Sequence, residues 1–182
     1  MDGAIRNPVD AADAIQGWMS REELSWLSGM VSSAKSVIEI GAHRGRTTKL
    51  LSGSMQSGVL VAVDIWKHPG MLDEVRKNLS AEIAEGRVKI VHGSSIEQSV
   101  VDLVSASIPQ GCAADAVFLD SDHDYEHVKA EIEIYRKLLR PGGLLAGHDA
   151  FNRDYPGVLR ALFEAFPATF RMGAGSIWYV TP

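Results

Sequence analysis

Cysteine is nearly absent from this chain of 182 residues, which has only Cys112. A lone thiol excludes an intrachain disulfide framework and a cysteine-rich zinc site. Cys112 follows Gly111 in a loop-like stretch with no positive neighbour to activate it, so it reads as a bystander. Basic runs are missing as well. The formal net charge is −5 and no Lys/Arg cluster stands out, which argues against a nucleic-acid-binding face or a polyanionic substrate. No apolar run approaches the roughly 20 residues that span a bilayer. The leading "MDGAIRNPVDAADAI" lacks the basic-then-apolar order of an export signal. The expectation is a cytoplasmic protein with neither a membrane nor a nucleic-acid partner. Repeats, low-complexity stretches and Pro/Gly-rich linkers are lacking too, so one domain over residues 1–182 is expected. Hydrophobic residues at 46% and charged residues at 23% suit a single-core globular domain of this length.

What is present is alternation. "SVIEIGA" (36–42), "VLVAVDIW" (59–66), "RVKIVHG" (87–93), "DAVFLDS" (115–121) and "GLLAGHD" (143–149) are short apolar runs that end in a small or polar residue. Strands buried on both faces of a parallel sheet have this form. Helical patterns separate them at 46–55, 71–86, 94–107, 125–140 and 156–166. Gly86 is placed to cap the second, and Ser94 with Glu97 has capping-box spacing for the third. Pro156 suits the first turn of the last. Strand then helix, five times over, is the doubly wound α/β pattern. "ATFRMG" and "SIWYVTP" read as two closing strands, and 20–34 as a leading helix, part of an N-terminal helical cap over 1–34.

Ligands of open α/β sheets bind at the carboxyl ends of the strands. The first strand ends in Glu39-x-Gly41-x-x-x-Gly45. In a dinucleotide fingerprint counted from Gly41, His43 would stand where the second glycine lets a pyrophosphate approach, so NAD and FAD are disfavoured. No Gly-Lys-Ser/Thr follows, which excludes a P-loop. A tight glycine turn with acids and no phosphate cradle suits S-adenosylmethionine (SAM), whose ligand groups are a nucleoside and two cations. Glu39 supplies negative charge. Asp64 ends the second strand 19 residues after Gly45, where a carboxylate can accept both ribose hydroxyls.

"VIEIGAHRGRTTKLL", "VAVDIW", "HGSS" and "FLDSDHDYEHVKAEIEIYRKLLRPGGLLAGHD" together resemble the class I SAM-dependent methyltransferases, in the small-molecule O-methyltransferase branch. The resemblance covers about residues 20 to 180. It implies a Rossmann-like seven-stranded sheet, mostly parallel with the last strand antiparallel. It further implies cofactor contacts at Glu39, Gly41, Ala42, Gly45, Thr47, Asp64, Ile65, Ser94, Ser95 and Asp120. The acceptor would be a small hydroxylated molecule, a sugar or natural-product intermediate, with a homodimer able to complete its site.

"FLDSDHDYEH" also holds His123-x-x-Glu126-His127, the spacing of an inverted zinc-protease helix. His123 falls at or before the expected helix start, so the two rings would not share a helix face, and His127 reads as a helix-surface or packing residue. By the resemblance, Asp120, His148 and Asp149 would hold a divalent cation, with Asp122 as base. Related enzymes carry two oxygen donors where this chain has His148-Asp149. Magnesium prefers oxygen, whereas manganese, iron or zinc accept the mixture. Equally, His148 or His123 could be the base with no metal present. Tyr125, Trp18, Trp26 and Trp66 are candidates for an acceptor wall. A non-catalytic SAM-binding module and a metal-dependent hydrolase or hydroxylase are the competing readings.

Overall fold

The computed structural model describes residues 7–109 and 113–182, so Cys112 lies outside it. The elements run α1 (Pro8–Asp13), α2 (Arg21–Val31), β1 (Ser36–Ile40), α3 (Arg46–Ser54), β2 (Val59–Asp64), α4 (Met71–Asn78), α5 (Ser80–Ala84), β3 (Val88–His92), α6 (Gln98–Ser107), β4 (Ala114–Leu119), α7 (Tyr125–Tyr135), β5 (Leu139–Gly147), α8 (Pro156–Ala165), β6 (Arg171–Met172) and β7 (Trp178–Val180). They form one seven-stranded sheet of order β3-β2-β1-β4-β5-β7-β6. The first five strands pair in parallel, and β7 runs antiparallel to both β5 and β6. This is the Rossmann-like, doubly wound sheet expected from the pattern.

Side chains alternate across each strand, so neighbours in sequence feed opposite cores. Val37, Leu60 and Phe118 pack with Leu27, Leu50 and Val75 on one face. Ile38, Val61 and Val117 pack with Val104, Ile132 and Leu162 on the other. Both faces being covered explains why the strands read as continuous apolar runs.

Four boundaries differ from expectation. The 71–86 helix breaks at Leu79 (φ −108°), whose fully buried side chain turns in beneath Gly45. The 94–107 helix starts only at Gln98, because Ser94 closes a turn with its carbonyl to Glu97 N, and Ser94 caps nothing. Helix α7 stops at Tyr135 and passes through one 3₁₀ turn. Strand β5 then begins at Leu139, four residues earlier than expected, because Leu139 already pairs with Ala114. The capping box belongs instead to α2, where Ser20 and Glu23 bond reciprocally. Between α1 and α2 the chain crosses the carboxyl edge of the sheet. Arg46 at the start of α3 pins it there, donating to Ile15 O at 2.7 Å, Met19 O at 3.0 Å and Asp13 Oδ1 at 2.7 Å.

Candidate active site

The carboxyl ends of β1 to β5 open into a cavity of about 680 Å³. Its nucleoside side starts at Gly41, with φ 92°. A Cβ there would lie 2.0 Å from the Asp120 carbonyl oxygen, so this glycine lets the loop after β4 cross over β1. His43 keeps left-handed backbone (φ 48°) without being glycine. The loop is tied to β2 through Asp64, whose Oδ2 accepts from His43 N at 2.8 Å and whose Oδ1 accepts from Trp66 N at 2.7 Å. The Trp66 indole donates to His43 O at 2.7 Å, so Trp66 is a buried brace and forms no acceptor wall.

Of the expected cofactor residues, Gly41, Ala42, Thr47, Asp64, Ile65, Ser94, Ser95 and Asp120 line the cavity. Glu39 and Gly45 do not. Gly45 (φ 87°) faces α4, where a Cβ would meet Val75 and Leu79 at 3.0 Å. Glu39 is fully buried beneath the cavity floor, with neither carboxylate oxygen hydrogen-bonded. Burial pushes its carboxyl up to about 8; the nearby Thr48 hydroxyl pulls the other way, and the charges of Asp120 and Asp64 add to the rise. The expected negative charge of Glu39 is thus largely quenched at neutral pH.

The loops after β4 and β5 bring the second set together. His123 Nε2 lies 2.8 Å from Asp149 Oδ2 and 3.8 Å from Asp120 Oδ1. The shorter approach is an ion-pair contact without hydrogen-bond alignment. His148 Nδ1 lies 3.2 Å from Asp149 Oδ2 and 4.0 Å from Asp120 Oδ1, while its Nε2 contacts Glu23 Oε1 at 2.9 Å. Asp149 has left-handed backbone (φ 62°) and accepts from the Asn152 amide at 2.8 Å. Burial opposes charge on His123, but Asp120 and Asp149 overcome it and hold the ring up to about 9. His148 is likewise held up to about 9, by Asp149, Asp120 and Glu23 against its burial. Burial alone would raise Asp149; the two histidines and Asn152 outweigh it and pull that carboxyl far below its ordinary range.

A further donor, His123, joins the expected Asp120 and Asp149. Asp120, His123 and Asp149 each bring one ligand atom within 4.8 Å of the others. His148 Nδ1 also faces this carboxylate pair, at 3.2 Å from Asp149 Oδ2 and 4.0 Å from Asp120 Oδ1, so His148 stands beside His123 there. Asp122 lines the same cavity, and its Oδ1 accepts from Asp124 N at 3.0 Å. That bond holds its carboxyl below the ordinary carboxylate range.

His123 precedes α7, and the two histidines of the His-x-x-Glu-His stretch point into different clusters. His127 Nε2 meets Ser95 Oγ at 3.2 Å and Glu131 Oε1 at 3.3 Å on the cavity wall. His127 is therefore a wall residue, contrary to the surface or packing role read from sequence. Glu131 is buried and also accepts from the Ser95 and Ser121 hydroxyls. One oxygen of Glu131 thus ties together the loops after β3 and β4.

Among the candidate aromatics, Trp18 reaches the cavity mouth, 83% exposed and 4.8 Å from the His43 ring. Trp26 packs on Tyr179 away from this cavity, while Tyr125 lies under the Arg160 guanidinium and lines a neighbouring cleft that meets the cavity at His123. Tyr155 was missed by sequence. Its ring stacks on His123 at 4.0 Å and 16°. A second cleft opens beyond that pair and shares Asp122, His123 and Tyr155 with the first. Glu23 and Asn152 were missed too. Glu23 showed only its capping-box spacing, and Asn152 nothing beyond being a loop polar residue.

A crevice at the switch point of this sheet, bounded by acids and lacking a phosphate cradle, defines a Rossmann-like fold of the class I methyltransferase type. The chain belongs to the methyltransferase-domain family, whose model matches residues 38–150. The resemblance seen in the sequence is thereby borne out. A curated relative, uncharacterized protein R132 of Acanthamoeba polyphaga mimivirus, is 24% identical over 119 residues, covering 65% of this chain and 52% of the relative. The chain thus spans about half the length of that relative. Among solved structures, a TDP-rhamnose 3'-O-methyltransferase of calicheamicin biosynthesis is 20% identical with TM-score 0.71, over 87% of this chain and 76% of that one. An O-methyltransferase from Bacillus cereus, solved in complex with SAH, is 20% identical with TM-score 0.70, over 100% of this chain and 92% of that one. At these identities the likeness establishes the fold. Among the described residues, no helix is long and apolar enough to cross a membrane.

Proposed function

We propose that this protein methylates a hydroxyl of a small molecule, using SAM. The observation that carries the reading is one cavity with two chemistries on its wall. Gly41, Asp64 and Ser94 form a nucleoside end, and Asp120, Asp122, His123 and Asp149 form an acid–imidazole end. SAM supplies an electrophilic methyl group on a sulfonium. The acceptor oxygen takes that methyl and gives up its proton, and the chain's own residues must orient the oxygen and receive the proton. Asp64 keeps free lone pairs on both oxygens for ribose hydroxyls, since each accepts a single backbone N–H. Ser94 and Ser95 stand at the adenine side.

The acceptor enters, in this reading, where the two clefts meet at Asp122, His123 and Tyr155. A neutral polyol or sugar fits a wall of one aromatic face and several carboxylates. Burial opposes charge on both imidazoles beside it, but without a metal Asp149 and Asp120 hold them up to about 9, which disfavours either as proton acceptor in that state. Asp122, ionised and on the same wall, is assigned as proton acceptor. Asp120, His123 and Asp149 fit a divalent cation once His123 gives up its proton, their ligand atoms lying within 4.8 Å of one another. Two carboxylates with one imidazole favour manganese, iron or zinc over magnesium. Such an ion would supply Lewis-acid polarisation of the acceptor oxygen.

The test is calorimetric binding of SAM and SAH, followed by methyl transfer over a panel of sugars and phenols with each cation. Binding in the micromolar range and turnover on a hydroxylated acceptor are expected. Asp122→Asn should lower kcat by about 10²-fold or more while SAM affinity stays within about twofold. Binding without turnover on any acceptor would mark a SAM-binding module, and metal binding without SAM affinity a hydrolase-type site; either overturns the proposal.

A further inference from the structure

We infer that Glu23 is a positioning residue for His148, so that helix α2 and the loop between β6 and β7 are structural parts of the active site. The inference rests on the reading of the β4–β5 loop cluster as the reacting end of the cavity. Glu23 lies 125 residues from His148 in sequence, on a helix outside the matched family segment.

A capping box needs only one carboxylate oxygen of the N3 residue. Glu23 Oε2 fulfils that duty, accepting from Ser20 N at 2.7 Å and Ser20 Oγ at 2.8 Å. Oε1 does something the cap does not require. It accepts from His148 Nε2 at 2.9 Å and from Ser176 N at 3.0 Å, 153 residues along the chain. The carboxylate therefore meets four donors from three segments and has no freedom to turn. The space confirms the fit: a Cβ on Gly175 would lie 2.1 Å from Oε1, and Gly175 has φ 55°. Glycine at this position lets the hairpin loop close over the carboxylate. Glu23 is 6% exposed, so its partners are not exchanged for water.

For His148 the consequence is a fixed ring. With Nε2 tied to Glu23, the opposite edge presents Nδ1 to Asp149 and Asp120 inside the cavity. Loss of Glu23 would leave the ring free to rotate about its last side-chain bond and the Ser176 N–H without its acceptor. Partners that orient a metal-ligating imidazole typically cost about 10–100-fold in activity when removed, and His148 Nδ1 stands within 4.0 Å of both carboxylates of the candidate cation site. Glu23 does not line the cavity, so SAM recognition should be untouched.

The experiment compares Glu23→Ala, Glu23→Gln and Ser20→Ala in the full chain. Ser20→Ala removes the cap on Glu23 N and one of the two donors to Oε2, keeps Ser20 N, His148 and Ser176 on the carboxylate, and so reports what loosening the helix start does with the His148 contact in place. Glu23→Ala is expected to lower kcat about 10–100-fold with KM for SAM within about twofold. Glu23→Gln keeps one acceptor and should fall between. Ser20→Ala should stay within about twofold of the parent. Independently of turnover, ¹⁵N-edited NMR of the imidazoles should show a slowly exchanging His148 Nε2–H in the parent and in Ser20→Ala, lost in Glu23→Ala. Should Glu23→Ala fail to fold, Glu23→Gln carries both readouts. Equal kcat losses in Glu23→Ala and Ser20→Ala, or an unchanged His148 signal without Glu23, would overturn the inference. If the parent transfers no methyl group to any acceptor, the proposed function fails, while the NMR comparison still decides on Glu23.

Discussion

Glu39 shows how a residue can be legible in sequence and still be misjudged. Its place at the end of β1 was readable, but its depth was not. An acid one residue before the strand's last position can face the cavity or the layer beneath, and only the packing of α3 decides. Being raised to about 8, Glu39 is protonated in the folded protein and ionised in the unfolded chain between pH 4.5 and 8. Its linkage is the reverse of a salt-bridged carboxylate: there is no penalty below pH 4.5, and the penalty grows until pH passes the folded value. Glu39→Gln should therefore be more stable than the parent at pH 7, by on the order of 3 kcal/mol, and close to the parent at pH 4.5. Differential scanning calorimetry at the two pH values checks this. A destabilised variant at pH 7 would mean that the buried carboxylate has a partner.

Among the elements, the strands were the most legible and the helix ends the least. β1, β2 and β4 are covered on both faces, and their apolar runs state it. The starts of α6 and β5 depend on contacts distant in sequence, such as Leu139 against Ala114. The turn after β1 was readable as a glycine turn, but its reason was not. Gly41 was read as a ligand-facing glycine, and it also gives passage to Asp120. Gly41→Ala should consequently lose stability, by at least about 3 kcal/mol from left-handed backbone and the clash together, and should lower the yield of folded protein even without ligand. Chemical denaturation of the ligand-free variant measures it. A variant as stable as the parent would show that the loop after β4 can move aside.

Over the whole molecule, the ionisable cluster sets a pH profile. His123 and His148 are raised from 6.5 to about 9, so their ion pairs contribute fully below pH 6.5 and are lost as pH rises through about 9. Glu39 acts in the same direction over its own window. Asp149 is depressed, so its contribution holds above about pH 3.8 and is lost in acid. The melting temperature of the metal-free protein should thus fall steadily from about pH 6 to pH 9, as differential scanning fluorimetry across buffers would show. A divalent cation at Asp120, His123 and Asp149 must displace the His123 proton. Its apparent affinity should rise by about tenfold per pH unit between 6.5 and 9, with about one proton released. Calorimetry in buffers of different ionisation enthalpy counts that proton. A pH-independent affinity would place the ion away from His123.

The sequence by itself determined the sheet, the order of its first five strands and helices, and the end of the sheet at which chemistry collects. These follow from local periodicity and from the rule that parallel strands send their carboxyl ends to one side. Only the tertiary structure decided which acids are buried, that His123 joins His148 beside Asp120 and Asp149, and that Glu23 stands behind His148. Those outcomes depend on burial and on distances between segments far apart in the chain, and neither quantity has a local signature in the residues that carry it.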